Sequence, residues 1–367
     1  MATVGDIANF LQEFAPTQRA ADWDNVGLLL GERSAPVWRA LTCLTITPEV
    51  VAEAVGTGAN LIVTHHPMLF RPTQKITDAT AEGGMVLALM KAGIAVYSPH
   101  TAFDNCPDGI NEQLAQKLEL RDLTPLRPFE GVKQCKLIVF VPDMDLSRVS
   151  DAIFAAGAGR IGKYSECSFR LAGTGTFFGS DDTNPTVGQK GRREEVGEWR
   201  LEAVCPESAV EAVVAAMRKA HSYEEPALDV VPLRPVREPG GEGRLGRLAG
   251  PIALQELAQR VRQHLTSGPV QLVGDPSRPV ERLALACGAA GEYLRDAVRL
   301  QADVFLTGEM RFHDYLSADA QQIALILPGH YATERFAVEI LANILRKSFP
   351  TIAIEPSKEE RNPVSWW

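Results

Sequence analysis

Apolar residues at Val4, Ile7, Ala8, Leu11 and Phe14 recur at three- and four-residue intervals, which predicts an amphipathic helix over residues 4 to 14 lying on a core. Downstream the rhythm changes to short, dense apolar runs, the pattern of strands buried on both faces, and predicts strands at 38 to 47, 60 to 64 and 93 to 98. Helices are predicted between them. Residues 48 to 56 open on Pro48, which suits the first helical position, and residues 79 to 91 are rich in Ala, Leu and Met. This alternation is that of a βαβ architecture.

From about residue 128 the order becomes a strand at 135 to 142, a helix at 146 to 156, strands near 166 to 178 and 198 to 205, a helix at 207 to 220 and a strand at 227 to 233. That order, βαββαβ, is the ferredoxin-like arrangement, here with a polar Gly-, Asp- and Arg-rich hairpin at 179 to 197. A proline- and glycine-rich stretch from Pro235 to Gly250 reads as a return linker. The first rhythm then resumes, with a helix at 253 to 265 and strands at 269 to 273, 282 to 287, 303 to 307 and 323 to 327. The expectation is an α/β fold: an outer domain built from residues 1–127 and 251–367, an inserted ferredoxin-like domain at 128–235, and a linker at 236–250.

At 367 residues the chain has room for two domains with separate cores, and its 45% hydrophobic and 23% charged residues are ordinary for a soluble globular protein. A formal net charge of −9 argues against broad contact with a nucleic-acid backbone, whereas one basic pocket would suffice for a small anionic or nucleotide-like ligand. Six scattered cysteines without a C-x-x-C pair indicate a reduced compartment. The N-terminus lacks signal-peptide character, and no apolar run approaches the roughly 18 residues of a membrane span. A cytoplasmic protein without a membrane partner is the expectation.

Candidate chemistry collects at the downstream ends of the strand-like runs, where α/β folds place their sites. Five of the seven histidines lie there: His65, His66, His100, His313 and His330. Singly, such a histidine is more often a hydrogen-bonded structural residue; it is the conjunction that points to metal. Adjacent residues of an extended chain face opposite sides, so His65 and His66 converge on one ion only if the chain turns at Pro67, and otherwise serve two neighbouring ions. Asp104 adds an oxygen ligand, and His330 and Glu334, four apart, share one face of a helix starting near 330. With Glu334 as a bridge, His65 and Asp104 would hold one ion and His66 and His330 the other, with water in the open positions. Such imidazole and carboxylate ligands suit zinc, manganese, iron or nickel.

Around these ligands, Glu309 and His313 are read as groups that orient a ligand or donate a proton, against the alternative of a helix-start hydrogen bond. His100 is expected to orient Asp104 or the turn at Pro99, and Arg71 and Lys75 to face an anionic substrate or to lie on a solvated loop. Trp23 is expected in the core, with Asp24 and Asn25 shaping a turn; His221 and His264 are read as surface or packing residues, and Trp366 and Trp367 as a frayed end or an interface contact. The Gly-Glu-Gly-Arg-Leu-Gly match to a dinucleotide fingerprint is rejected, because it lacks a strand-to-helix context.

The segments Trp23 to Leu28, Thr64 to Pro67, His100-Thr101 with Asp104, Thr307 to Glu309 with His313, and Gly329 to Glu334 together resemble the Nif-three-like dinuclear metal-centre proteins, a family labelled GTP cyclohydrolase 1 type 2 homologue. The resemblance spans both outer blocks in order, and the insertion resembles the optional middle domain of longer members. It implies two divalent metal ions on His65, His66, Asp104, His330 and Glu334, and a ring-shaped homohexamer with the metal sites facing an internal cavity. The loop Gly288 to Glu292 departs from the family in being less rich in Gly and Ser.

The leading expectation is a two-metal hydrolase of a nucleotide or phosphorylated small molecule, with His313 or Glu309 protonating the leaving group. GTP ring opening, the family's label, is the weaker expectation, since no residues here specify guanine. The alternatives are a non-catalytic metal-binding scaffold, a metal sensor and a metal store.

Overall fold

Thr3 starts the first helix, Val4–Phe14, by a capping box with Asp6, and the helix buries Val4, Ile7, Ala8 and Leu11 as their spacing predicts. The computed structural model describes residues 1–129, 131, 133–235 and 240–365, and divides the chain into two units, Met1–Phe129 with Pro239–Trp367, and Glu130–Glu238. Trp366 and Trp367, and residues 236 to 239 of the expected linker, lie outside the described residues.

The first unit is mixed α/β and contains two large sheets. In one, the strands Arg39–Cys43, Leu61–Thr64 and Ala95–Ser98 run parallel, with Gly27–Leu30 antiparallel on one edge and Ala353–Pro356 parallel on the other. In the other, Pro279–Leu285, Val304–Leu306 and Ala324–Leu327 run parallel, flanked by antiparallel Gln271–Val273 on one side and by Arg244–Ala253 and then Arg121–Thr124 on the other. The central strands are buried along their whole length, as their unbroken apolar runs predict. Each sheet borrows an edge strand from the other half of the sequence: Ala353–Pro356 completes the first and Arg121–Thr124 the second.

The second unit runs strand Gln134–Pro142, helix Leu146–Ala155, strands Phe169–Phe178 and Arg193–Pro206, helix Val210–Ala220 and strand Leu228–Pro232. Its four strands form one antiparallel sheet in the order Leu228–Pro232, Gln134–Pro142, Arg193–Pro206, Phe169–Phe178. Leu137, Val139, Val141, Leu201 and Ala203 pack on Val149, Ile153, Val213 and Met217 of the two helices. The expected hairpin at 179 to 197 is shorter, because pairing continues to the Phe178 and Arg193 pair and leaves 179 to 192 as the connection.

The composition of 236 to 250 misled the linker reading. Gly241–Glu242 and Arg244–Ala253 are strands of the first unit, and Leu245 and Leu248 are buried. The stretch is held by Arg244, itself 4% exposed, which pairs with Glu112 at 2.6 Å and donates to the carbonyls of Gly241, Gly243 and Cys106. A buried guanidinium with all these acceptors is a structural pin rather than a solvated loop charge. All six cysteines are free, and among the described residues no helix is long and apolar enough to cross a membrane.

Arg244→Ala is expected to destabilise the first unit by about 2 kcal/mol, below the usual cost of breaking a fully buried pair because Glu112 keeps some access to water. Urea unfolding followed by circular dichroism measures this; an unchanged midpoint would show that the pin is dispensable.

Candidate metal centre

The strand Leu61–Thr64 delivers His65 and His66 into the end of the first sheet, and the turn there is fixed by hydrogen bonds. His65 N donates to Cys43 O, His66 N to Leu44 O, and the Thr64 hydroxyl to the carbonyls of Leu44 and His66. The chain turns enough to bring the two rings to 5.0 Å, centroid to centroid. From the second sheet, Ala324–Leu327 leads to the short helix His330–Glu334, where four-residue spacing sets both side chains on one face, with His330 Nε2 3.1 Å from Glu334 Oε2.

Glu334 Oε2 is the meeting point. Besides His330 it lies 3.0 Å from His66 Nε2 and 3.9 Å from His65 Nε2, and His65 Nε2 lies 3.5 Å from Asp104 Oδ1. Glu334 and His65 are 3% and 2% exposed. Both ring nitrogens of His65 and Oδ1 of Asp104 are buried without a hydrogen-bond partner, a costly arrangement that a cation would relieve. Donor chemistry and orphaned atoms alike therefore fit a divalent metal ion, and His66, His330 and Glu334 form one group of ligand atoms close enough to share it.

Electrostatics agrees. Burial holds His65 well below the usual imidazole range, so it stays neutral with a lone pair to offer. Burial, and then the neighbouring Glu334, push Asp104 up to about 7. Burial works upward on Glu334 too, but its hydrogen bonds with His330 and His66 outweigh it and keep the carboxylate ionised. His330 is raised to about 9: burial lowers it, and the carboxylates of Glu334 and Glu309 outweigh burial. His330 is thus one imidazole held toward its cationic form against two carboxylates, and a metal would supply further positive charge.

Outer groups aim the rings. His330 Nδ1 lies 3.0 Å from Glu309 Oε1, and His66 Nδ1 lies 2.7 Å from the Thr45 hydroxyl. Thr45 N in turn donates to Glu360, which Arg335 pairs at 3.1 Å. Each contact at Nδ1 leaves Nε2 turned toward Glu334, the usual way a ligating histidine is set. The cavity beside the cluster, about 410 Å³, is lined by His66, His100, Asp104, Cys287, His330 and Glu334 among others.

Some expectations are corrected, and some open alternatives are decided. His100 does not orient Asp104: its Nδ1 pairs with Asp24 at 2.7 Å, while Asp24 also accepts from the Thr101 amide and hydroxyl. His100 carries the uncommon φ of +26° and stands beside His65 and His66, close enough for the three to form a second group of potential ligand nitrogens. Trp23 is not in the core but 57% exposed, its ring 5.9 Å from that of Phe70 at the cavity rim. His313 sits exposed on the helix Phe312–Ala320 against the Phe312 ring, because that helix turns it outward. Arg71 and Lys75 lie on the exposed loop after Pro67, and Phe70 rather than Arg71 lines the cavity. His221, read as a surface or packing residue, is buried between the Phe140 carbonyl and the Tyr223 amide.

The sequence reading missed Thr45 and Glu360, gave Asp24 only a turn-shaping role, and noted Gly288 only in a loop that departs from the family. Thr45 follows the end of the strand Arg39–Cys43, so the strand-end rule would have found it. No spacing links Asp24 to His100 or Glu360 to Thr45, since the fold alone brings them together. Gly288 has φ +67°, and a Cβ there would collide with Glu334 Oε1. The turn after Pro279–Leu285 thus matters through the absence of a side chain against Glu334.

A family model described as Duf34/NIF3 (NGG1p interacting factor 3) matches residues 2–363. A GTP cyclohydrolase 1 type 2 homolog of Halalkalibacterium halodurans is 36% identical over 324 residues, covering 88% of this chain and 87% of its own length. A protein of the same name from Mycobacterium tuberculosis is 35% identical over 353 residues, with 94% and 92% covered. Among solved structures, a Bacillus cereus protein related to NIF3 aligns with TM-score 0.69 at 32% identity, covering 100% of this chain and 99% of its own. A Staphylococcus aureus protein aligns with TM-score 0.80 at 26% identity and the same coverage.

Gly288→Ala is expected to lower divalent-metal affinity by about 10-fold or more, on the scale of lost ligand support. Titration of the metal-free protein with zinc by calorimetry measures it; equal affinity would mean that Glu334 moves freely away from the turn.

Proposed function

The chain belongs to the Duf34/NIF3 family, and on that footing we propose that it holds two divalent metal ions and hydrolyses a nucleotide or another phosphorylated small molecule. One observation carries the reading: a single buried carboxylate oxygen, Glu334 Oε2, faces three imidazole nitrogens beside orphaned atoms of His65 and Asp104. His65, His66, Asp104, His330 and Glu334 would hold the ions. Two such ions supply a water made acidic near neutrality and a clamp for a phosphoryl oxygen.

The remaining steps fall to the chain's own groups. Thr45 and Glu309 hold the rings of His66 and His330 in register. Glu309, whose side chain is 60% exposed, can also exchange a proton with solvent, so the donor role expected of Glu309 or His313 is assigned to Glu309 alone. The exposed rings of Trp23 and Phe70 narrow the cavity mouth. Purine ring opening, which the relatives' names suggest, is not adopted as the leading reading, because no residue pattern here specifies guanine.

We also infer that residues 130–238 form a ferredoxin-like domain, a reading supported by their strand order, and that the chain assembles as a homohexamer, which the family resemblance implies. Light scattering should then give a particle about six times 39.9 kDa.

The activity test uses full-length protein of defined metal content, loaded in turn with zinc, manganese, iron or nickel, against a panel of nucleotides and phosphoesters. Turnover is expected for the wild type and a loss of about 100-fold or more for Glu334→Ala. Glu309→Gln, which keeps an acceptor for His330, is expected to retain metal content yet lose about 100-fold in kcat. If the loaded wild type turns over nothing that Glu334→Ala does not, the hydrolase reading fails, and two stably bound ions without turnover would support a scaffold or store.

A further inference from the structure

The second unit contains a cavity of about 430 Å³ that owes nothing to the metal centre. It lies where the hairpin of Phe169–Phe178 and Arg193–Pro206 opens into its connecting loop, against the segment that follows the helix Val210–Ala220. Its walls combine two kinds of side chain. Four aromatic rings, of Phe140, Phe177, Phe178 and Tyr223, share it with the carboxylates of Glu198, Glu224 and Glu225. Among the described residues lining it there is no lysine or arginine.

The loop over the cavity is fastened down rather than draped. The Thr186 hydroxyl donates to the Ser222 carbonyl at 2.7 Å, and Asn184 N donates to Glu224 Oε1 at 3.0 Å. Glu224 is thereby used, and Glu225 pairs with Arg218 at 3.3 Å outside the cavity. Glu198 is left: among the described residues it forms no ion pair, although every other glutamate of its strand except Glu195 does. Its position is set by Gly175 on the facing strand, because a Cβ there would collide with the Glu198 carboxylate. Burial, and then the neighbouring Glu198 carboxylate, push the buried hydroxyl of Tyr223 well above the usual phenol range, so the two groups face each other in the cavity.

Aromatic faces attract cations through their quadrupole, and the attraction grows when the cation is taken out of water next to a compensating carboxylate. A neutral apolar ligand would leave the half-buried Glu198 charge without a counter-ion, and an anion would meet three carboxylates. We propose that this cavity is a binding site for a small organic ammonium ion, caged by the four rings and neutralised by Glu198, with the Tyr223 hydroxyl accepting or donating a hydrogen bond to the ligand's polar end.

The test titrates the full-length protein with choline, and separately with 3,3-dimethylbutan-1-ol, its uncharged isostere, by calorimetry and by ligand-observed NMR. Choline is expected to bind at least about 10-fold more tightly than the alcohol, since charge rather than shape drives the contact. Glu198→Gln is expected to weaken choline by at least about 10-fold while leaving the alcohol unchanged, and Phe178→Ala, at a ring that is 66% exposed and so dispensable for folding, to weaken choline as well. Circular dichroism confirms that both variants are folded. Equal binding of choline and the alcohol, choline binding indifferent to both substitutions, or no choline binding at roughly 50 mM would each overturn the proposal.

Discussion

One buried carboxylate governs the first unit. Glu334 comes from a helix of one sheet, and three imidazoles from both halves of the sequence converge on a single one of its oxygens. A group so placed pays heavily for its desolvation unless positive charge or hydrogen-bond donors surround it. Much nearby architecture follows from that demand: the missing side chain at Gly288, the ring-holding contacts of Thr45 and Glu309, and the turn after Thr64 that keeps both His65 and His66 on the same side. Asp104 meets the opposite fate, since a second carboxylate in the same space is driven toward its neutral form by burial and by Glu334.

The arrangement also explains why two sheets are needed. The first sheet delivers His65, His66 and His100 at the downstream ends of its parallel strands and the second delivers His330 and Glu334, so the contacts on Glu334 draw on both sheets. Registering the two to within hydrogen-bond distance requires a stiff connection. It is provided by main-chain and buried polar links such as Asn111, which accepts from Cys287 N at 2.8 Å and donates to Asn105, and by Thr42, whose hydroxyl donates to the Val338 carbonyl.

Where apolar rhythm sets the structure, the sequence was readable. The helix at Val4–Phe14, the parallel strands ending in His65 and His330, and the βαββαβ order of the second unit all express themselves in spacing. The proline- and glycine-rich stretch before Gly250 was misread because composition cannot distinguish a solvated linker from a strand that uses glycine for close packing; Arg244 is the residue that decides, and its acceptors come from segments far off in sequence. The proposed ligands His65, His66, Asp104, His330 and Glu334 do meet in space, whereas His313, read as an orienting or proton-donating group, and Arg71 and Lys75, read as facing a substrate or solvent, do not join them. Asp24 was read only as shaping a turn because its partners His100 and Thr101 lie more than seventy residues away, a pairing that only tertiary structure reveals.

The borrowed edge strands set an order of assembly. Ala353–Pro356 pairs with Arg39–Cys43, so the first sheet stays open along one side until residues more than three hundred positions downstream have left the ribosome. Pairing across such a span is slow, since the closure entropy must be met before any contact repays it. The helix that carries Glu334 is likewise made late, so His65 and His66 exist for most of synthesis without the carboxylate they face in the finished fold. Nascent chains therefore pass through an interval with an unpaired strand edge and with two imidazoles that still lack their carboxylate.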